Sequence, residues 1–197
     1  MTEEMWEEDL EKAFSLIKDT YKNGGKLLVC GNGGSAADSE HIVGELMKGF
    51  MLNRKIPAEA RQKFKATENG DYISNNLQGA LPAISLVSQS AIISAFANDV
   101  AADMAFAQQV YGYGKPGDSF LGLSTSGNAK NVIYAAETAK ALGLHTIALT
   151  GQTGGHLQNI CDVTIKAPSQ STPIIQEYHL PIYHKLCMML EAEFFKD

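Results

Sequence analysis

Cys30-Gly31-Asn32-Gly33-Gly34-Ser35 lies between a short apolar run, Lys26-Leu27-Leu28-Val29-Cys30, and a stretch whose apolar residues recur at Ile42, Val43, Leu46 and Met47. The first run leans to β; the spacing from about Ala36 to Lys48 is that of a helix. Strand, glycine turn and helix in that order point backbone N–H groups and a helix N-terminus at an anion. Phosphate is the anion such a cradle suits; a tight turn without a ligand is the plainer reading. Gly31-x-Gly33-x-x-Ala36 also matches the dinucleotide fingerprint, which requires a second strand ending in Asp or Glu about 20 residues on. Met51 to Asn76 is polar, is broken by Pro57 and Gly70, and holds no strand-like run. The dinucleotide reading is therefore set aside.

Working outward, Trp6, Leu10, Ala13, Phe14, Ile17 and Tyr21 mark an amphipathic helix over about 3–22, stopped by Asn23-Gly24-Gly25 and suited to oligomerisation. Residues 51–80 are irregular, with one short helix expected from Pro57 to Phe64. A long segment of this kind is a functional flap or a solvated excursion. Beyond it, strands are expected at Leu81–Leu86, Ser119–Ser124, His145–Thr150 and Cys161–Lys166. Helices are expected at about Ser90–Ala97, Ala101–Tyr111, Ala129–Leu142 and Pro173–Phe195, the last with Thr172 as its cap and a kink at Pro181. Alternating strands and helices imply an α/β fold with a parallel sheet covered on both faces. Ligands of such sheets bind beyond the carboxyl ends of the strands. The loop Ser124-Thr125-Ser126-Gly127-Asn128 lies at such an end, as does Asn32–Ser35, so the two can share one pocket.

The chain has 197 residues, 45% hydrophobic and 19% charged, which suits one soluble domain with one good core. A net charge of −6 argues against nucleic acid or an anionic membrane surface as partner. The acidic start, Thr2-Glu3-Glu4-Met5-Trp6-Glu7-Glu8, is unlike a signal peptide, and no apolar stretch approaches the length of a membrane span. Cys30, Cys161 and Cys187 have no metal-type spacing and read as buried, reduced thiols of a cytoplasmic protein.

Three hydroxyls on consecutive residues at a helix start, Ser124, Thr125 and Ser126, make a phosphate mouth without a lysine. His41 and Glu45, four apart on a helix, share a face and can meet one ligand or one metal ion. Gln176 and His184 lie about 80° apart around the last helix, a gap that a bend at Pro181 would narrow. His179 lies about 140° from His184 and is expected to face elsewhere. His145 and His156 have no partner pattern and read as structural.

Cys-Gly-Asn-Gly-Gly-Ser at 30–35, His41-x3-Glu45, Asn98-Asp99, Ser-Thr-Ser-Gly-Asn at 124–128, Leu-Thr-Gly at 149–151 and Gln176-Glu177-x-His179 occur in that order. Together they resemble the sugar-isomerase (SIS) superfamily and, within it, the phosphoheptose isomerase family, over nearly the whole chain apart from about 55–78. The resemblance implies one SIS domain, a five-stranded parallel sheet flanked by helices in three layers, assembled as a homotetramer with active sites shared between subunits. It implies interconversion of sedoheptulose 7-phosphate and D-glycero-D-manno-heptose 7-phosphate, the entry to the heptose of lipopolysaccharide or S-layers.

By position, the resemblance assigns substrate contacts to Asn32, Gly33, Gly34, Ser35, Ser124, Thr125, Ser126 and Gln176, and sugar hydroxyls to Asn98 and Asp99. Glu45, also in contact with substrate, is the base that removes the proton beside the carbonyl, and His184 its acid/base partner on oxygen. Some members hold zinc at the positions of His41, Glu45, Gln176 and His184, all present here. Two positions depart from the family: Ala129 replaces a serine after Ser-Gly-Asn, and Pro173 replaces an aspartate three residues before the glutamine. Two other functions compete with this one. A non-catalytic SIS protein that binds a replication initiator keeps the phosphate loops but resembles neither Glu45 nor His184. An isomerase or sensor of another sugar phosphate is the third.

Overall fold

Along Leu27–Cys30, the first strand (β1), successive side chains enter opposite cores: Leu27 and Val29 one, Leu28 and Cys30 the other. All four are buried, so the strand reads as an unbroken apolar run rather than an alternating one. The same division runs through β3 (Ser119–Ser124) and β4 (His145–Thr150): Leu121, Leu123, Ile147 and Leu149 face one core, Phe120 and Ala148 the other. The computed structural model describes residues 4–196. With β2 (Ala83–Ser85) and β5 (Val163–Lys166) the strands form a parallel five-stranded sheet in the order β2-β1-β3-β4-β5. The chain leaves β1 to one side for β2, then crosses to the other side for β3. The switch point therefore falls between the carboxyl ends of β1 and β3.

Three helices cover the first face: α1 (Glu4–Lys22), α2 (Gly34–Met47) and the long α8 (Thr172–Phe195). They contribute Leu10, Ile17, Ile42, Leu46, Ile182 and Leu186 to its core. The opposite face carries α6 (Ala105–Tyr113) and α7 (Lys130–Ala141), with Phe106, Val110, Val132 and Ala136 buried. Each Leu or Ile buried here contributes roughly 1.5–3 kcal/mol. Between β1 and β2 the chain makes α3 (Ala58–Phe64) and α4 (Gly70–Asn76) in an excursion whose neck is closed by an antiparallel Lys55–Gln78 bridge. After β2 comes α5 (Ser90–Phe96), continued by a π-helical turn at Ala97–Ala101 and a 3-10 turn at Ala102–Met104.

The sequence reading differs from this in detail. Glu3, expected in the first helix, lies outside the described residues, and α4 had no apolar period to reveal it. The second strand loses Leu81 and Pro82, since proline brings no N–H to the ladder. The last strand begins at Val163 because the Asp162 carboxylate turns back to accept the Thr146 amide (2.8 Å) and hydroxyl (2.9 Å). Thr172 is the first helical residue of α8 rather than its cap, which is Ser171. That helix continues through Pro181, which is exposed. All three cysteines are free, Cys30 and Cys187 buried and Cys161 partly so. Among the described residues no helix is long and apolar enough to cross a membrane.

Candidate active site

At the switch point the two loops meet. A cavity of about 250 Å³ is lined by Asn32, Gly33, Gly34 and Ser35 from one and Ser124, Thr125 and Ser126 from the other, with Gln176 arriving from α8. Gly33 has φ +56°, a backbone that a side chain strains, and helical bonding of α2 starts from its carbonyl, which accepts from Ala36 (3.0 Å) and Ala37 (3.3 Å). The amides of Gly33 and Gly34 therefore precede the helical ladder at the positive end of the helix. A Cβ on Gly34 would run into the Gln176 carboxamide. In the second loop the Ser126 hydroxyl oxygen accepts from the Asn128 amide (3.1 Å) and that of Ser124 from the Ala129 amide (3.4 Å). Both hydroxyl hydrogens remain able to donate to an anion. Reciprocal amide bonds between Asn32 and Asn131 (2.9 and 2.8 Å) tie the loops together. Ala129 and Thr172 complete the wall. Asn131 escaped the sequence reading, because pairing across 99 residues leaves no local pattern, and Thr172 was read there only as a helix cap.

Farther along α2 a second cluster forms where that helix packs on α8. His41 Nε2 lies 3.2 Å from Glu45 Oε1, and Lys48 Nζ donates to Glu45 Oε2 at 2.8 Å. On the other side of the ring, His41 Nδ1 lies 3.0 Å from the Tyr183 hydroxyl, which donates to Asp38 Oδ1 at 3.2 Å. His184 packs edge-on to His41 (ring centroids 5.0 Å) and rests on Tyr183 and Phe50. Burial, and then His41, push the His184 imidazole below the usual histidine value, against an opposing pull from Glu45. Burial raises the Asp38 carboxyl, opposed by the Tyr183 hydroxyl and His41. Asp38 was legible as the residue one turn before His41; Tyr183 was not.

Ser35 and Ser126 thus share a cavity, and Glu45, His41 and His184 share a cluster. Gln176 lines the anion cavity, eight residues before His184 on α8, which stays helical through Pro181. Asn98 and Asp99 lie in the π-helical turn, exposed and bonded to each other (2.8 Å), away from the cavity wall. His179 does face elsewhere: it is buried, with Nε2 3.2 Å from the Thr150 carbonyl. For zinc, the described residues contain no ready-made group of three His, Cys, Asp or Glu ligands. The chemistry of the donors nevertheless fits: two imidazoles and a carboxylate adjoin, and His184 Nε2 is buried without a hydrogen-bond partner.

A parallel sheet with two hydroxyl-bearing anion loops at its switch point defines the class of SIS domains, and the SIS-domain family model matches residues 1–78 and 72–151. The phosphoheptose isomerase of Akkermansia muciniphila is 36% identical over 187 residues, 95% of this chain and 86% of its own. The probable phosphoheptose isomerase of Thermoplasma acidophilum is 41% identical over 178 residues, 90% and 85% of the two chains. The solved phosphoheptose isomerase of Neisseria gonorrhoeae superposes with a TM-score of 0.78 at 32% identity, over 96% of this chain and 89% of that one. The chain belongs to the phosphoheptose isomerase family of SIS-domain proteins.

Proposed function

We propose that the protein interconverts sedoheptulose 7-phosphate and D-glycero-D-manno-heptose 7-phosphate through an enediol. The observation that carries this reading is the pair of sites on α2: an anion cradle at its N-terminus and a carboxylate–imidazole cluster farther along it. The loop amides and the hydroxyls of Ser35, Ser124, Thr125 and Ser126 hold the phosphate. Glu45 takes the proton from C1 of the ketose, and the C–H electron pair becomes the C1=C2 bond as O2 takes a proton. O1 then gives up its proton, C1=O forms, and the proton held by Glu45 returns to C2. His184 relays the oxygen-bound proton, giving one to O2 and recovering one from O1. A non-catalytic binding protein has no use for such a pair.

Zinc belongs to the same proposal. His41, Glu45, Gln176 and His184 would hold it, and it would polarise the sugar oxygens as a Lewis acid. A carboxylate bound to metal is a poorer base, so the two duties of Glu45 compete. Metal analysis of the purified protein, with turnover before and after a chelator, separates them.

The assembly we propose is a cytoplasmic homotetramer with shared active sites. Ser35 and Glu45 are ten residues apart on α2, about 15 Å along its axis, a long reach for one sugar phosphate within one chain. Exposed Asn98 and Asp99 lie among the exposed apolar residues Ile92, Val100 and Met104, a surface suited to a second copy. Light scattering is expected to give four chains; a monomer would remove this part.

The test is NMR observation of the protein with sedoheptulose 7-phosphate. Turnover is expected, and Glu45→Gln is expected to abolish it while phosphate-sugar binding survives. Ala129, which puts a methyl where the family has a hydroxyl, supports a second reading, an isomerase of another ketose phosphate. Turnover of a pentose or hexose phosphate without turnover of the heptose would favour it.

A further inference from the structure

Arg54 and Glu191 are the most completely buried ion pair of the described residues, with side chains 0% and 1% exposed and Nε to Oε1 at 2.7 Å. The rest of the guanidinium goes to the helix that carries the base: Nη1 donates to the Leu46 carbonyl (2.7 Å) and Nη2 to that of Glu45 itself (2.9 Å). These carbonyls belong to the last turn of α2, which has no partners within the helix. A cation there also suits the negative end of the helix.

The Glu191 carboxylate gathers the loop that follows, accepting from the amides of Phe50 (2.8 Å), Met51 (2.8 Å) and Leu52 (3.2 Å). Phe50 in turn lays its ring on His184, centroids 5.3 Å apart. Glu191 and His184 are seven residues apart on α8, two turns, and so share a face to within about 20°. One ion pair thus reaches both halves of the acid/base cluster. It touches Glu45 through its backbone carbonyl and His184 through the ring of Phe50.

Stability alone is a weak reason for such a pair, because apolar side chains of similar volume replace buried ion pairs at little or no cost. Geometry is the stronger reason. Proton transfer requires its donor and acceptor placed to a fraction of an ångström, and a 1 Å displacement can cost on the order of 10²-fold in rate. We infer that Arg54 and Glu191 are positioning residues, a latch that sets the distance and register between Glu45 on α2 and His184 on α8. The inference rests on the isomerase reading.

The test variant is Arg54→Met/Glu191→Gln, which removes both charges together and leaves one amide oxygen for the Met51 and Leu52 N–H groups. The expected result is a folded protein whose kcat on sedoheptulose 7-phosphate falls by about 10–100-fold, with KM within about twofold, since the anion cradle lies elsewhere. The primary isotope effect with C1-deuterated substrate is expected to rise, as proton removal becomes more limiting. Wild-type kcat and isotope effect in the folded variant would overturn the latch. So would a change confined to KM.

Should the double variant not fold, Glu191→Gln alone carries the same readouts. Should the wild type not turn over the heptose, it is the isomerase reading that fails. The latch is then tested by the nuclear Overhauser effect between the His41 and His184 rings in selectively labelled free protein. Weakening of that signal in the variant is expected, and an unchanged signal refutes the latch.

Discussion

At the scale of single residues, what matters is where one polar atom is present or missing. Ala129 lines the anion cavity with a methyl group next to the Ser124 and Ser126 hydroxyls. Ala129→Ser is expected to add one hydrogen bond to the phosphate and lower KM by up to about tenfold, since a hydrogen bond contributes a net of about 0.5–1.5 kcal/mol. An unchanged KM in steady-state assays would mean that the phosphate does not sit against this wall. Tyr183 is the opposite case. It is 1% exposed, and its hydroxyl joins Asp38 to His41 Nδ1. Because the hydroxyl has one hydrogen, given to Asp38, its oxygen accepts from the His41 Nδ1–H on the other side. Tyr183→Phe leaves both partners unpaired. It is expected to cost about 1–3 kcal/mol in urea unfolding and to lower kcat; full activity and stability together would show that the hydroxyl is idle.

At the scale of elements, α2 makes the site, and its two ends are defined differently. The N-terminal end was legible in the sequence because every requirement there is local. Gly33 supplies a positive φ, Gly34 gives way to a neighbouring side chain, and Ser35 follows at once. Gly34→Ala is expected to push the Gln176 carboxamide out of the cavity and raise KM several-fold with the helix intact, as circular dichroism and kinetics can show. The C-terminal end was not legible. Its carbonyls are capped by Arg54, which sits in a polar, irregular stretch where a buried arginine looks like any other surface charge. Only the fold shows that Glu191, 137 residues later, is its partner. The strands were readable for the same reason as the glycine turn: a sheet covered on both faces writes continuous apolar runs into the chain. The π-helical turn that carries Asn98 and Asp99 was not, since one extra residue per turn leaves no periodic mark in five residues.

At the scale of the molecule, the layer that holds the site also makes the fold sensitive to acid. Helix α8 crosses the carboxyl end of β4 and buries His179 against it, with Nε2 toward the Thr150 carbonyl and Nδ1 without a partner. Burial pushes this imidazole down to about 4, only partly countered by the Thr150 bond. In the unfolded chain it titrates near 6.5. Between those values the unfolded state binds the proton and the folded state does not, so stability rises with pH across the window and is lost as pH falls through it. From pH 7 to pH 5 the loss due to His179 is expected to be about 2 kcal/mol, at 1.36 kcal/mol per unit. His184, lowered in the same direction, adds a slope of the same sign, so His179 must be isolated by substitution. Glutamine can still donate to the Thr150 carbonyl but cannot titrate. Urea midpoints at pH 7 and pH 5 are therefore expected to draw closer together in His179→Gln than in the wild type. Equal shifts in the two proteins would place the acid sensitivity elsewhere in the layer.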